Sequence, residues 1–472
     1  MIADLKPYPE YKESGSPWLG KVASHWEVRN LRTLIRPCDE RGRADLPLLS
    51  VAREKGVFVR SLTDANENHN VIPEDLSNYK VARAGNLVIN KMKAWQGSMG
   101  IAPCDGIVSP AYFVFEFGIS TRAFGQALVR SKPYVAHFGQ ASDGVRVGQW
   151  DLSIPGMRQI PVLAPPPAEQ AAIVRFLAWA NGRLERAIRA KRKVIALLNE
   201  QKQAIIHRAV TRGLDPSVPL KPSDIPWLGD IPRHWEVRPL KAVCHIQSGI
   251  TLGKDYAGQQ LHEFPYLRVA NVQAGYVKLS VVKTVRVPMP EAKRCFLEKG
   301  DVLMTEGGDP DKLGRGCVWE AQVAPCLHQN HIFAVRPDQS RLEPQFLAAL
   351  MGTSYARAYF QSTAKQTTNL AATNKTKIGQ LKVLLPTKHE QSTILVSLNE
   401  GVRPVSTAIS RLEREIELLR EYRTRLVADV VTGKLDVREA AARLPVEPAP
   451  EAAANDTDLS LDPEAADEEA AV

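Results

Sequence analysis

The chain has 472 residues, 44% of them apolar and 24% charged, which is typical of a globular protein with two or three domains. No run approaches about 18 consecutive apolar residues and the N-terminus lacks an apolar segment, so neither a transmembrane helix nor a signal peptide is predicted. The net charge is +9, but residues 445–472 hold nine Asp and Glu and no Lys or Arg. The remaining chain, at +18, suits a polyanion such as nucleic acid.

The N-terminal arm, up to about Arg29, carries a motif that occurs twice. Pro-Trp-Leu-Gly followed by His-Trp-Glu-Val-Arg lies at 17–20 and 25–29, and returns 209 residues later. Large aromatic side chains usually pack in cores. We therefore expect Trp18 and Trp26 to anchor the arm on the module that follows.

The first module, residues 1–164, alternates short strand-like runs with turns and is predicted to be mixed α/β. A helix is expected over 121–138. The loop 90–100 joins two of the predicted strands and crowds glycines, amides, cations and one Trp. Such a loop suits DNA, with cations on phosphates and amides on base edges, but a solvated turn is an equal alternative. The candidate contacts of this module are Arg53, Lys91, Lys93 and Gln96.

A long helix is predicted over residues 168–212, within a first spacer segment at 165–215. A second spacer, 386–437, repeats it at an offset of 221, and Gly401 and Pro404 are expected to kink its helix without ending it. In both helices apolar residues recur at alternating steps of three and four, which is typical of a coiled coil. The residues expected to pair the two helices are Leu184, Ile188, Ile195, Leu198, Ile205, Ile409, Leu412, Ile416, Leu419 and Leu426.

The second module, residues 216–385, repeats the plan of the first with different loops. The offset between the halves changes from 209 through 215 to 221 inside the modules, while the long helices keep one offset. Two unlike readers on a duplicated spacer would read a two-part, nonpalindromic DNA site. The candidate contacts here are Arg268, Asn271, Lys312, Arg315, His328 and Asn330. Residues 438–472 are expected to form a disordered acidic tail.

Catalytic and metal-binding patterns are few in this sequence. It has no phosphate-binding loop with a following Lys-Ser/Thr and no G-x-G pattern after a strand for a dinucleotide or methyl donor. The Cys317–Cys326 spacing is too wide for a structural zinc site, so no metal is expected. The six cysteines are scattered, as expected of reduced thiols in a cytoplasmic protein.

Taken together, these motifs resemble the specificity subunit of type I restriction–modification systems over nearly all of residues 7–436. The motifs that carry the resemblance are the Pro-Trp-Leu-Gly starts at Pro17 and Pro226, the Pro…Glu-Gln helix starts at Pro165 and Pro386, the Thr-x-x-Leu-Asp helix ends at Thr211 and Thr432, and the loops 91–97 and 305–316. The acidic tail has no counterpart in the family pattern.

The resemblance implies an α+β chain, with two globular target recognition domains separated by two long antiparallel coiled-coil helices. Its expected partners are double-stranded DNA, two modification (methyltransferase) subunits and a restriction (endonuclease/translocase) subunit, without a membrane. The chain itself would be non-catalytic and without a cofactor, because S-adenosylmethionine would bind the partner. Two alternatives stay open: a fused or stand-alone DNA methyltransferase, and a coiled-coil adaptor with no role on DNA.

Overall fold

A computed structural model of the protein describes residues 5–61, 75–146, 149–308, 314, 316–366 and 371–445. The chain divides into two compact units. Unit 1 comprises Met1–Arg189 and Ile416–Val472, and unit 2 comprises Ala190–Glu415. Each unit therefore contains one module and part of each long helix.

The strands of the first module are β1 (Tyr11–Glu13), β2 (Lys21–Ala23), β3 (Glu27–Asn30), β4 (Ile35–Pro37), β5 (Leu49–Ala52), β6 (Gly56–Val59), β7 (Lys80–Ala82), β8 (Leu87–Asn90), β9 (Met99–Ile101), β10 (Gly106–Val108), β11 (Tyr112–Phe117), β12 (Ser142–Arg146), β13 (Gln149–Leu152) and β14 (Pro161–Ala164). Its helices are α1 (Arg122–Val129), α2 (Lys132–Gln140) and α3 (Ile154–Arg158), and the long helix α4 (Pro167–Arg212) follows.

The strands of the second module are β15 (Leu220–Pro222), β16 (Asp230–Pro232), β17 (Glu236–Pro239), β18 (Cys244–Ser248), β19 (Leu261–Leu267), β20 (Lys283–Pro288), β21 (Val302–Thr305), β22 (Gly307–Gly308), β23 (Gly316–Val318), β24 (Leu327–His328), β25 (Ile332–Pro337), β26 (Lys365–Gln366), β27 (Ala371–Ala372) and β28 (Lys382–Leu385). Its helices are α5 (Met289–Lys293), α6 (Pro344–Met351), α7 (Ser354–Thr363) and α8 (Lys375–Gln380), followed by α9 (Lys388–Val431) and α10 (Arg438–Ala442).

The two modules are built around similar antiparallel sheets. In unit 1 the order is β4-β11-β8-β9, and in unit 2 it is β18-β25-β21-β23. The central strands β8 and β21 begin with three apolar residues that are almost fully buried, as expected for strands covered on both faces. A second sheet of unit 2, β20-β19-β24, contains a parallel pair, in which Leu267 lies opposite His328.

The helical part of the first module differs from the single helix predicted over 121–138. It forms two helices, α1 and α2, interrupted at Arg130 and Ser131. Pro133 lies in the first turn of α2, where its missing N–H costs nothing, and the Ser131 hydroxyl donates to the Leu128 carbonyl. These two residues therefore end one helix and start the next.

In unit 1, the first half of α4 packs against the last part of α9. Leu184, Ile188 and Leu426 are buried there and Leu419 is half-buried, as the heptad pattern predicts. An Arg423–Glu185 ion pair of 3.1 Å flanks the seam. Because early residues of one helix meet late residues of the other, the pairing is antiparallel.

In unit 2, the second half of α4 packs against the first part of α9. Ile195, Leu198 and Ile205 are only half-buried, whereas Ile409 of α9 is buried. Lys191 and Glu415 form an ion pair of 2.5 Å beside them. The helix α9 runs without a break through Pro404. The prediction of an α+β fold with two long antiparallel helices is thus confirmed.

The duplicated motifs meet where each long helix begins. In unit 1, strand β3 pairs with β14 and so brings the arm beside the start of α4. The Trp26 indole N–H and the His25 ring contact opposite oxygens of Glu169, at 3.1 and 2.7 Å, and Trp26 is fully buried. The adjacent Gln170 accepts from Thr121 N at 3.1 Å and donates to Pro165 O at 2.8 Å. The Trp, the Glu and the Gln thus join the module to the helix.

The same junction is built again in unit 2. Strand β17 pairs with β28, and Trp235 and His234 contact the two oxygens of Glu390 at 2.9 and 3.0 Å. Gln391 accepts from Glu343 N and donates to Pro386 O. The repeated sequence motifs therefore encode a repeated contact between a module and a helix.

Unit 1 also contains a segment with no equivalent among the described residues of unit 2. Helix α10 follows α9, and Ala441 and Leu444 are buried against the unit. Asp436 N donates to Lys6 O at 2.8 Å, which joins the segment to the N-terminal arm. The first residues of the predicted tail are thus part of the folded unit, while residues 446–472 lie outside the described residues.

Candidate nucleic-acid interface

The loop 90–100 of unit 1 is a compact turn that ends in a short 3-10 helix at Ala94–Gln96. Lys91 is half-buried and forms an ion pair of 3.3 Å with Asp151. Lys93 is exposed and Gln96 is half-buried. A phosphate would therefore have to compete with Asp151 for Lys91.

Arg53 begins the turn between β5 and β6, and its side chain is 68% exposed. The turn is held from behind by Arg130, whose Nη2 donates to the carbonyls of Arg53 and Glu54 at 2.9 and 2.7 Å. Gly56 closes the turn with a φ of +73°, and a Cβ there would lie 2.0 Å from Arg130 Nη1. A side chain at 56 would therefore strain the backbone and displace the guanidinium.

Arg268 follows β19 in unit 2 and is half-buried. Its Nε and the nearby Tyr266 hydroxyl are buried without a hydrogen-bond partner in the described part of the chain. Burial raises the pKa of Tyr266, and the Arg268 charge opposes that shift. Both atoms are enclosed, so a contact of Arg268 with a base edge or a phosphate would have to use the part of its half-buried side chain that remains exposed.

Asn271 was predicted to contact a base, and its burial argues against that role. It is 3% exposed. Its Oδ1 accepts from Arg268 N at 2.8 Å, and its Nδ2 donates to the carbonyls of Lys278 and Val281 at 2.8 and 2.9 Å. The amide is thus committed to main-chain groups of the same unit, and Asn271 shapes the loop instead of reaching from it.

His328 requires a similar correction. The side chain is fully buried, neither ring nitrogen has a hydrogen-bond partner in the described part of the chain, and burial lowers its pKa to about 4. A neutral, enclosed imidazole cannot reach a base edge in this structure. The polar run around His328 suggested a surface position, but the strand β24 packs tightly against Gly249, where a Cβ would lie 2.1 Å from His328 O. Asn330, after β24, is half-buried.

The remaining two candidates, Lys312 and Arg315, lie outside the described residues. Within the described ranges, no group of His, Cys, Asp and Glu has the geometry of a metal site, and no helix is long and apolar enough to span a membrane. The six cysteines are free, and burial raises the pKa of the Cys317 and Cys326 thiols to about 12.

Sequence reasoning missed one residue that orients these loops, Arg130, and gave a different role to another, Asn271. Arg130 lies in the interruption between α1 and α2, where the sequence predicted a continuous helix. Asn271 was identified, but in the wrong role, because its partners are carbonyls seven and ten residues further on. Only the folded backbone brings those carbonyls to the amide.

The sequence of the chain is similar to a known protein family and to two curated proteins. Residues 232–418 match the family model described as the type I restriction modification DNA specificity domain. A proposed specificity subunit of the type I restriction enzyme MjaX, from Methanocaldococcus jannaschii, is 24% identical over 209 residues, 43% of this chain and 47% of that protein. The specificity subunit of the type I restriction enzyme StySPI, from Salmonella potsdam, is 23% identical over 211 residues, 44% of each chain.

The chain thus spans about half the length of these two curated relatives. Its fold is similar to that of a chain in a solved structure that concerns complex assembly and conformational transition of the type I R-M system. That likeness has a TM-score of 0.57 at 17% identity and covers 88% of this chain and 99% of the other. Residues 232–418, in the second half of the protein, are thus similar to a type I DNA specificity domain. The predicted resemblance of the chain to type I specificity subunits is confirmed.

Proposed function

We propose that the chain is the non-catalytic DNA-recognition subunit of a type I restriction–modification complex. It binds a bipartite, asymmetric DNA site through two target recognition domains, residues 1–164 and 216–385. The spacers at 165–215 and 386–437 set the gap between the half-sites and dock two modification subunits, and through them a nuclease/translocase subunit. Methyl transfer with S-adenosylmethionine belongs to the modification subunits. The complex would act in the cytoplasm, where the DNA is.

The duplicated junction is the observation that carries this proposal. Trp26 with Glu169, and Trp235 with Glu390, hold each module on a long helix through the same contacts, while the exposed loops of the two modules differ. Because both modules are joined to the helices in the same way while their loops differ, each module can recognise a different DNA sequence on the same spacer. The basic balance of the chain outside residues 445–472 supports a polyanionic partner.

Selection from a random duplex library tests the proposal. The full chain, with its modification subunit, is expected to enrich a two-part sequence with a fixed gap. Methylation mapping should then report one modified base in each half. Enrichment of a sequence with only one part contradicts the proposal. A lack of any enrichment also contradicts it and favours the coiled-coil adaptor with no role on DNA. Methylation by the chain alone with S-adenosylmethionine would instead favour a methyltransferase.

Changing the spacer separates its role from that of the modules. One heptad inserted into both α4 and α9, at facing positions, lengthens the helix pair by about 10 Å, or roughly three base pairs. We expect the gap to change and both half-site sequences to persist. An altered half-site sequence would show that the modules and the spacer are not independent.

A further inference from the structure

The segment 272–281 of unit 2 forms a small hairpin loop that no sequence motif had indicated as functional. Val272 pairs with Val277, Gln273 N donates to Tyr276 O at 3.0 Å, and Gly275 turns the chain with a φ of +84°. Asn271 ties the base of the loop through the carbonyls of Lys278 and Val281. These contacts fix the backbone of the loop.

The side chains of this hairpin alternate between the core and solvent. Val277 and Leu279 pack against the buried cluster around Leu267 and Trp319. Tyr276, in contrast, is 59% exposed, more than the other exposed aromatic side chains of the described residues, Trp227 and Tyr422. A large aromatic held in water on a fixed backbone is suited to contact a partner.

The charge of the hairpin points to the kind of partner. Residues 272–283 contain no Asp or Glu, and both Lys278 and Lys283 are exposed. Arg268, whose Nε has no partner in the described residues, has its main-chain N–H held by the same Asn271 amide. The buried Asn271 side chain thus ties the main chain of Lys278, next to the hairpin tip, to the main chain of Arg268.

We propose that the hairpin 272–281 is a DNA-reading element of the second module, with Tyr276 at the bases and Lys278 on a phosphate. This proposal rests on the proposed function. A two-stranded ribbon fits the major groove, where an aromatic ring contacts thymine methyl groups and a hydroxyl reaches base-edge acceptors. Asn271 is a positioning residue, because it orients the hairpin and Arg268 without reaching the DNA itself.

The test uses the full chain with its modification subunit and the random duplex library. Tyr276→Ser lies at an exposed position and should leave folding intact. We expect it to lower affinity for the selected site about 5- to 100-fold and to make at least one position of the second half-site degenerate. The first half-site should be unchanged. Lys278→Gln should weaken binding to all sequences and reduce the slope of log affinity against log salt by about one.

Asn271→Asp separates the two hydrogen-bonding roles of the buried Asn271 amide, which accepts from Arg268 N and donates to two carbonyls of the hairpin. It keeps an acceptor for Arg268 N but loses both donors to the hairpin, so the preference at the positions read by Tyr276 should relax. Thermal melting of the same variant measures any loss of stability. If that loss is large, Tyr276→Ser and Lys278→Gln still decide the proposal.

Trp227→Ser is the matched control, because it removes another exposed aromatic side chain of unit 2 that lies outside the hairpin and outside the spacer. It should change neither half-site. A wild-type protein that selects no two-part site overturns the proposed function and this inference with it. A wild-type protein that selects one, while Tyr276→Ser keeps the full second half-site preference, overturns the hairpin assignment alone. Loss of modification-subunit binding with unchanged DNA preference would assign the hairpin to a protein contact instead.

Discussion

The two junctions between modules and helices use the same residue types but differ in enclosure. Glu169 is 5% exposed and is contacted by three side chains, because the Tyr8 hydroxyl joins Trp26 and His25 at 2.6 Å. Glu390 is 27% exposed and is contacted by Trp235 and His234. The third contact comes from Tyr8 of the N-terminal arm. The duplicated motif thus specifies the contact between Trp, His and Glu. The residues around each glutamate determine how far that contact is shielded from water.

The helix pair shows the same asymmetry and offers the largest expected effect. Ile188, in unit 1, is 2% exposed, whereas Leu198, in unit 2, is half-buried. Ile188→Asp should lower the free energy of unfolding by about 4 to 5 kcal/mol, because it buries an unpaired charge, and Leu198→Asp by about 2 kcal/mol. Urea unfolding of both variants checks this. Equal losses would contradict the difference in enclosure along α4.

Substitution of the two glutamates tests the junctions directly. Glu169→Ala leaves the Trp26 indole and the Tyr8 hydroxyl without an acceptor in a buried site, so we expect a loss of about 3 to 4 kcal/mol. Glu390→Ala should cost about 2 kcal/mol, because water reaches its site. Tyr8→Phe provides a control that removes only the third contact. If it brings the effect of Glu169→Ala close to that of Glu390→Ala, the arm is the source of the difference.

Acid should destabilise unit 2 through His328. Burial holds the pKa of this histidine at about 4 in the folded chain, below its ordinary value of 6.5. The unfolded chain therefore binds the proton more readily, and stability falls as pH decreases from about 6.5 to about 4, by roughly 3 kcal/mol in total. Hydrogen exchange across this range should show unit 2 opening before unit 1. A His328→Phe variant with the same pH dependence would exclude His328 as the cause.

What could be predicted from the sequence depended on how far each signal extends along the chain. The heptad pattern of α4 and α9 extends over more than forty residues, so two long helices and their antiparallel packing followed from it. The roles of Asn271 and His328 depend on single tertiary contacts. A polar residue beside a strand has the same sequence signature whether it lies in solvent or under a glycine such as Gly249. The structure, and no local pattern, distinguishes the two cases.

The smallest expected effect concerns Arg130, which holds the turn of Arg53 in unit 1 much as Asn271 holds the hairpin in unit 2. Both side chains donate two hydrogen bonds to main-chain carbonyls of an exposed loop. At the repeat offset of 221, Arg130 corresponds to Met351, which is buried in the core of unit 2. Arg130→Met therefore introduces the residue of the other unit. We expect it to cost about 1 kcal/mol of stability.

The DNA readout distinguishes the two loops. If Arg130 and Asn271 each orient the loop that reads one half-site, Arg130→Met should relax the sequence preference at the first half-site by several-fold and leave the second unchanged. Asn271→Asp should have the opposite pattern. Arg130→Lys keeps the charge but has a shorter side chain, so it should not reach the two carbonyls that Arg130 Nη2 contacts at 2.9 and 2.7 Å and should behave like the Met variant. If the Lys variant instead retained the wild-type preference, the charge of residue 130 would matter and its hydrogen bonds to the Arg53 and Glu54 carbonyls would not. If Arg130→Met and Asn271→Asp relaxed the same half-site, the assignment of one reader to each unit would be wrong.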